Sequence, residues 1–303
     1  NTKGTLYCIP SVAAYVGGDI TGGAAAIGLD KQEALSLFID IGTNGEVALG
    51  HKDWLVCCSS SAGPAFEGSG VKHGMRAASG AIERLQISED FSVRYKVIGG
   101  REPRGVCGSG LLDTIAALLR SGAVNKSGKL VKGTTPRVRE TEEGNEFLIA
   151  EGDKTATGAD IVITQADIEN LIRSKAAVYA AVSTLIDSMG LNITDIERVY
   201  LAGGFGSYLD IDNTITIGML PEMPPQKICF VGNSSLAGAR LALLSKDAYS
   251  NVKEIASKMT YFDLMGNPAF MDKFISANFL PHTNPDEFPS VYQALEGRNK
   301  PEG

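Results

Sequence analysis

The apolar run from Leu35 to Ile41 constrains the fold of this chain more than any other segment. A short apolar run bounded by turn residues is typical of a buried strand. This run carries one carboxylate, Asp40, next to its end, and a turn sequence follows it. Two further strand-like runs end at Ser59, so residues 35–59 are predicted to form a three-stranded antiparallel meander. Further along the chain, the pattern predicts a helix over residues 71–80, a strand over residues 85–98 and a fraying, proline-rich tail from Pro281.

The turn that follows Asp40 permits two interpretations. Asn44 and Gly45 form the strongest short hairpin signal, which favours a plain two-residue type I′ turn. Alternatively, the turn from Gly42 through Thr43 to Gly45 presents backbone amides and a hydroxyl to phosphate oxygens, as concave arrays of amides do. Asp40 would then hold Mg²⁺ through water, because this ion keeps much of its hydration shell.

A second buried strand, predicted over residues 196–201, ends in the sequence Ala202-Gly203-Gly204-Phe205-Gly206. Two adjacent glycines let the backbone pass close to a flat ligand, and nucleotides bind at the carboxyl ends of such strands. The spacing is not that of the Rossmann glycine motif. A tight strand–helix turn without a ligand is the alternative.

Three more positions are candidates for contact with a ligand. Glu67, in the small-residue loop from Gly63 to Gly68, could bond a ribose, orient a water or face solvent. Gly108 and Ser109 open a helix that is predicted to run to residue 121. Lys175 lies on a long helix predicted to start at a Thr164 cap, and its amine could reach a nucleotide or snorkel to the surface.

Composition excludes several classes of protein. The 303 residues carry a net charge of -7 without a basic stripe, which excludes a nucleic-acid partner. No run of 18 apolar residues predicts a membrane span, and no signal peptide is visible, so a cytoplasmic protein is expected. The five cysteines include no C-x2-C pair, which argues against zinc, iron–sulfur and disulfide frameworks, and buried reduced thiols are expected.

The order of these motifs resembles the second half of the acetate kinase–sugar kinase–Hsp70–actin (ASKHA) fold. That resemblance implies an α/β, ribonuclease-H-like architecture, in which a mixed sheet with an antiparallel meander is flanked by helices. It also implies ATP and Mg²⁺ as ligands, with Asp40 and Glu67 as catalytic residues and Asp40 on the metal. The implied ATP-binding residues are Gly42, Thr43, Asn44, Gly45, Gly63, Glu67, Gly108, Ser109, Lys175, Gly203, Gly204, Phe205 and Gly206.

Within that superfamily the chain looks most similar to the reductive activators of corrinoid proteins. The sequence segments that carry this resemblance are Val16–Ile20, Gly63–Gly68, Gln165–Ile168, Lys175–Ala177 and Val231–Asn233. The resemblance implies an ATPase that reduces Co(II) corrinoid to Co(I) in a methyltransferase system. It further implies a corrinoid protein as partner, an electron donor and a possible homodimer, with no nucleic acid and no membrane.

The same resemblance suggests a division of the chain. Residues 1–34 are expected to be a linker to a missing first lobe, and residues 35–245 the ribonuclease-H-like lobe with an insertion over about 81–160. Residues 246–303 are expected to form a helical extension. Because only one Asp-Ile-Gly-Thr sequence occurs, the first phosphate lobe and a ferredoxin-like iron–sulfur domain are expected in upstream chain absent from this sequence.

Three other functions remain open on the sequence. A small-molecule kinase could use the same loops, although it needs a base near the transferred phosphate. A non-catalytic, ATP-gated interaction module would bind nucleotide and release no phosphate. The activators of 2-hydroxyacyl-CoA dehydratases hold a cluster on paired cysteines, and Cys107 and Cys229 do not show that spacing.

Overall fold

A computed structural model describes residues 4–203 and 209–297, and within them a six-stranded sheet forms the centre of the molecule. The strands are β1 (Ser36–Ile41), β2 (Gly45–His51), β3 (Trp54–Ser60), β4 (Ala81–Ile87), β5 (Val93–Val97), β6 (Gly105–Val106), β7 (Val138–Thr141), β8 (Gly144–Ala150), β9 (Ile161–Thr164), β10 (Arg198–Ala202), β11 (Ile228–Gly232) and β12 (Met259–Tyr261). The α-helices are α1 (Gly18–Ile27), α2 (Gly108–Ser121), α3 (Gln165–Ser188), α4 (Ile211–Thr216), α5 (Ser234–Leu244), α6 (Lys246–Lys258), α7 (Pro268–Ala277) and α8 (Pro289–Gly297).

The central sheet has the strand order β11-β10-β1-β2-β3-β12. β1, β2 and β3 form the predicted antiparallel meander, whereas β10 runs parallel to β1 and β11 runs parallel to β10. Because the carboxyl ends of parallel strands meet at one edge, the loops that follow β1 and β10 start side by side.

Helices cover both faces of the central sheet, and the alternation of side chains along β1 explains why. Leu37 and Ile39 point into the larger core, which includes Val178 and Val182 of α3. Phe38 points to the opposite face, where it packs with Ile20 of α1 in a second core. A strand that buries both faces needs apolar residues at successive positions, and β1 supplies them until Asp40.

Helix α3 is the longest helix and begins as predicted. The Thr164 hydroxyl accepts a hydrogen bond from the Asp167 N–H at 3.1 Å, and the Asp167 carboxylate accepts one from the Thr164 N–H at 2.9 Å. This reciprocal capping box satisfies two of the backbone donors that a helix start leaves unpaired. Gly190 follows the helix in a left-handed conformation, with φ of 69°.

The segment between β3 and α3 departs from the predictions in two places. A helix expected at residues 71–80 is wrong, since this stretch consists of turns and bends. The strand expected over residues 85–98 is a hairpin, β4–β5, that joins β6 in one small sheet, while β7, β8 and β9 form another. The polar residues 88–90 form the turn of this hairpin. The turn was not predicted because the alternation of apolar and polar residues continues through both strands.

The C-terminal part is more ordered than its composition suggested. A fraying, proline-rich tail was expected from Pro281, and this expectation is wrong. Leu280 and Phe288 are fully buried in the larger core, and α8 follows them. β12 pairs with β3 and so adds a strand from residues 259–261 to the central sheet.

The cysteines divide into two groups. Cys57, Cys58 and Cys107 are buried, as expected, but Cys8 and Cys229 are exposed, so the prediction of burial is wrong for these two. Within the described ranges, no helix is both long and apolar enough to cross a membrane.

The contact between α1 and α5 leads to the first prediction. A Cβ on Gly238 would lie 2.0 Å from the Gly22 carbonyl oxygen, so these helices approach through their backbones. Gly238→Ala should lower the free energy of unfolding by about 3 kcal/mol, because neither backbone can yield without moving its helix. Denaturant unfolding measures this. The matched control is Gly297→Ala, where a new Cβ meets nothing within 4 Å; an equal loss in both variants would contradict the close-approach argument.

Candidate functional site

The hairpin between β1 and β2 closes through a three-residue loop. Ile41 pairs with Gly45 in the ladder, and the Gly42 N–H donates to the Asn44 carbonyl at 2.9 Å. Neither Asn44 nor Gly45 has a positive φ. The plain type I′ interpretation, which requires positive φ at both residues, is therefore wrong. What remains is a short loop whose amides lie at the carboxyl end of β1.

A second loop meets the first one. Gly63, with φ of 77°, leads into a 3-10 turn over Pro64–Glu67, and Gly68 leaves it with φ of 85°. The Thr43 hydroxyl donates to a Glu67 carboxylate oxygen at 3.0 Å. This contact links two segments that are far apart in sequence, and both are exposed at the point of contact.

The third loop begins against the first. Asp40 pairs with Ala202 across the parallel ladder, and Gly203 follows with φ of 114°. A Cβ at Gly203 would lie 2.2 Å from the Ile41 carbonyl oxygen, so only glycine allows the chain to leave β10 here. The predicted ligand residues Gly204, Phe205 and Gly206 lie outside the described residues.

Carboxylates accumulate on the α1 side of this site. Asp40 and Glu46 face each other across the β1–β2 ladder, and Asp19 lies in the first turn of α1. Burial, with a smaller contribution from Asp19, raises the pKa of Asp40 to about 6. Burial, then Asp19 and Asp40, raises the pKa of Glu46 to about 7, against a hydrogen bond from Asn44. The ionised forms of Asp40 and Glu46 are therefore disfavoured, both by burial and by the repulsion between neighbouring carboxylates.

This geometry fits a hydrated cation better than a metal held only by protein. Among residues 4–203 and 209–297, no group of three or more His, Cys, Asp or Glu is arranged to hold a metal ion. Mg²⁺ commonly binds one or two carboxylates, water and substrate phosphates. Asp40, half-buried at the end of β1, fits that role.

The motif at the start of α2 is explained by packing. Ser109 is buried and its hydroxyl donates to the Glu83 carbonyl at 2.9 Å. A Cβ on Gly110 would lie 2.3 Å from the Ile82 carbonyl oxygen. The small residues therefore let α2 approach β4, and α2 also contacts the Pro64–Glu67 turn.

Lys175 requires a larger correction. The expectation of a snorkelling surface side chain is wrong, because Lys175 is 1% exposed. Its amine donates to the Phe279 and Pro281 carbonyls, each at 2.6 Å. Both partners belong to the C-terminal region, so the amine is bound to protein carbonyls and is not among the proposed nucleotide contacts.

Two acidic residues of the site had no assigned role on sequence grounds. Glu46 was visible at the end of the turn motif, two residues past Asn44, and strand alternation places it on the same face as Asp40. Asp19 lay in the Val16–Ile20 segment that carries the resemblance, but nothing in the sequence placed it at this site. It reaches the site only because α1 packs across the sheet, which is a tertiary contact.

Comparison with known proteins identifies this arrangement. Residues 34–292 match the family described as the C-terminal domain of RACo, the ASKHA domain. The chain is 36% identical over 283 residues to the corrinoid activation enzyme RamQ of Eubacterium limosum, covering 91% of this chain and 47% of that protein. It is 33% identical over 251 residues to the [Co(II) methylated amine-specific corrinoid protein] reductase of Methanosarcina barkeri, covering 76% of this chain and 43% of the relative.

A solved structure agrees with both relatives. A reductive activator for corrinoid, iron-sulfur protein superposes with a TM-score of 0.92 at 55% identity, covering 95% of this chain and 46% of that one. The chain thus spans about half the length of the relatives it matches. The predicted ASKHA fold is confirmed, and the chain belongs to the family of the C-terminal ASKHA domain of RACo.

Proposed function

We propose that this chain binds and hydrolyses ATP and couples that reaction to the reductive activation of a corrinoid protein, from Co(II) to Co(I). The observation that carries the proposal is the meeting of three loops at one sheet edge. Thr43 bonds Glu67 across two of the loops, and Gly203 lies against Ile41 where the third begins. The names of the relatives support a corrinoid protein as substrate.

In this proposal the three loops contact different parts of the nucleotide. Backbone amides of Gly42 to Gly45 and of the loop that begins at Gly63 bind phosphate oxygens, because such concave amide arrays favour anions. Gly203 starts the loop that receives the nucleoside. Asp40 holds Mg²⁺ through water, and the ion neutralises charge on the phosphates.

Glu67 is the residue to which we assign orientation of the attacking water. Its carboxylate is exposed beside the first loop, and the bond from Thr43 fixes one of its oxygens. A carboxylate held at the phosphate loop can accept a hydrogen bond from water and align it for attack.

Coupling to reduction is conformational in this proposal. ATP can favour one state of the activator–corrinoid complex only by its difference in affinity between states. The favoured state is one in which cobalt has lost an axial ligand and accepts an electron more readily. The electron comes, in this proposal, from an iron–sulfur domain or donor outside the described ranges. All five cysteines are free, which fits a reducing compartment, and we place the protein in the cytoplasm.

Replacing the carboxylate at the end of β1 tests the site. Asp40→Asn should lower corrinoid-stimulated ATP turnover by about 100-fold or more, because the hydrated Mg²⁺ that neutralises the phosphates loses its carboxylate partner. The unfolding midpoint should stay equal or rise, since burial and Asp19 disfavour the Asp40 charge. Phosphate release is measured with a corrinoid protein and a low-potential reductant, while absorbance follows Co(I). The control is Asp53→Asn, an exposed carboxylate in the β2–β3 turn; wild-type turnover in Asp40→Asn would overturn the site assignment.

The raised pKa of Glu46 gives a test by pH. Its folded pKa of about 7 lies above the usual 4.5, so the folded state binds more protons between these values. Stability should therefore fall as pH rises through this window, by about 3 kcal/mol at most, and Glu46→Gln should recover this loss at pH 8. Urea unfolding from pH 4.5 to 8 measures the slope, with the exposed Glu142→Gln as control. A wild-type slope equal to that of Glu46→Gln would show that this carboxylate is not strained.

A further inference from the structure

The buried amine of Lys175 serves no folding need that an apolar side chain would not serve better. It is 1% exposed and its partners are two backbone carbonyl oxygens, those of Phe279 and Pro281. Burial lowers the pKa of Lys175 well below its usual value. A buried amine is costly compared with a hydrophobic side chain of similar volume. Its two hydrogen bonds therefore point to a geometric role.

Those bonds fasten a segment that we name the C-terminal strap, residues 278–288. The Tyr179 hydroxyl donates to Glu287 at 2.9 Å, one helical turn beyond Lys175. The Leu280 N–H donates to the Lys126 carbonyl at 2.8 Å, and the Tyr292 hydroxyl donates to the His282 carbonyl. Lys175 and Tyr179 thus bind the strap from α3, while Lys126 and Tyr292 bind it from other parts of the chain.

The strap also meets the chain that follows the third loop. A Cβ on Gly218 would lie 2.1 Å from the Pro281 carbonyl oxygen, the same oxygen that Lys175 binds. Gly218 has φ of 73° and closely follows α4. Lys175 therefore holds a carbonyl that is in tight contact with the segment leading away from the nucleoside loop.

The same stretch of α3 contacts the two loops that we propose to bind phosphate, residues 42–45 and 63–68, which we call the phosphate loops. A Cβ on Gly45 would lie 3.1 Å from a Val178 methyl carbon, and one on Gly63 would lie 3.9 Å from the Ser174 hydroxyl. Ser174 and Val178 are one turn apart and enclose Lys175 in the sequence. This turn of α3 consequently lies between the loops and the strap, and its position is set by what holds it on the strap side.

We propose that Lys175 is a positioning residue, which fixes α3 beneath the two phosphate loops by holding the C-terminal strap. The strap thereby sets the affinity of the site for MgATP. The part that concerns MgATP rests on the proposed function, whereas the part that concerns the loops does not.

Lys273 provides a matched control. Its amine donates to the Ser183 hydroxyl at 2.6 Å and to the Asp187 carboxylate, so it also ties the C-terminal region to α3. Its contacts lie about 12–18 Å further along the helix at 1.5 Å per residue. A general loosening of the C-terminal region would follow from either lysine, but only Lys175 lies at the turn that touches the loops.

Amide hydrogen exchange on the whole chain, without nucleotide, tests the first part. Lys175→Met should raise exchange about tenfold at residues 42–45 and 63–68, because local opening there would become less costly. Lys273→Met should leave these amides unchanged. Tyr292→Phe, which removes one hydrogen bond from α8 to the strap, should give a smaller change at the same residues. This variant provides the test if Lys175→Met does not fold.

Calorimetric titration with MgATP tests the second part. After correction for the folded fraction, the Kd of Lys175→Met should rise about tenfold, and that of Lys273→Met should not change. In turnover, the KM for ATP should rise with little change in kcat, because Asp40 and Glu67 are untouched.

The outcomes separate the two proposals. Loops that keep wild-type exchange while residues 278–288 loosen would overturn the inference, as would equal effects from both lysines. If the wild type binds no MgATP but the loops still loosen in Lys175→Met, the proposed function fails and the positioning role stands.

Discussion

The parallel pairing of β1 with β10 is the constraint on which the rest of the structure depends. It sets Asp40 opposite Ala202, so the strand that ends in a carboxylate and the strand that ends in glycines finish together. Gly203 then leaves β10 across the Ile41 carbonyl with no room for a side chain. A shift of one residue in this register would turn Asp40 to the α3 side and bring an apolar residue to the site.

How far the sequence predicts this arrangement depends on the range of the interaction involved. The meander, the cap of α3 and the loop positions follow from local rules, because hydrophobic periodicity and turn chemistry act over a few residues. Lys175 could not be assigned in that way, since its partners lie more than a hundred residues away. Its sequence context is an ordinary helix, and only the packing of the strap shows that the amine is buried.

The candidate site shows the same division. The sequence could not predict that Thr43 and Glu67 form a hydrogen bond, although both residues lie in loops rich in small residues. The helix-start motif at Gly108 and Ser109 was ambiguous for a related reason. Small residues allow close approach to a ligand and to a neighbouring strand equally well, and here the neighbouring strand is β4. Glycine patterns therefore locate close approaches, while the approaching group has to come from the tertiary structure.

Two unfavourable electrostatic arrangements lie on either side of the same loops. On one face, Asp19 and Asp40 oppose the charge of Glu46, and on the other a buried amine has carbonyl partners. Both cost stability in the free protein, and such costs concentrate where a protein binds a ligand. A ligand that binds only the folded state adds stability in proportion to the logarithm of its concentration over Kd. A cation-bearing nucleotide at the carboxylate face would offset their repulsion as it binds. In the proposed function, the charge that destabilises the free protein is thus the charge that selects its ligand, and the strap on the far side is proposed to keep the loops in place to receive it.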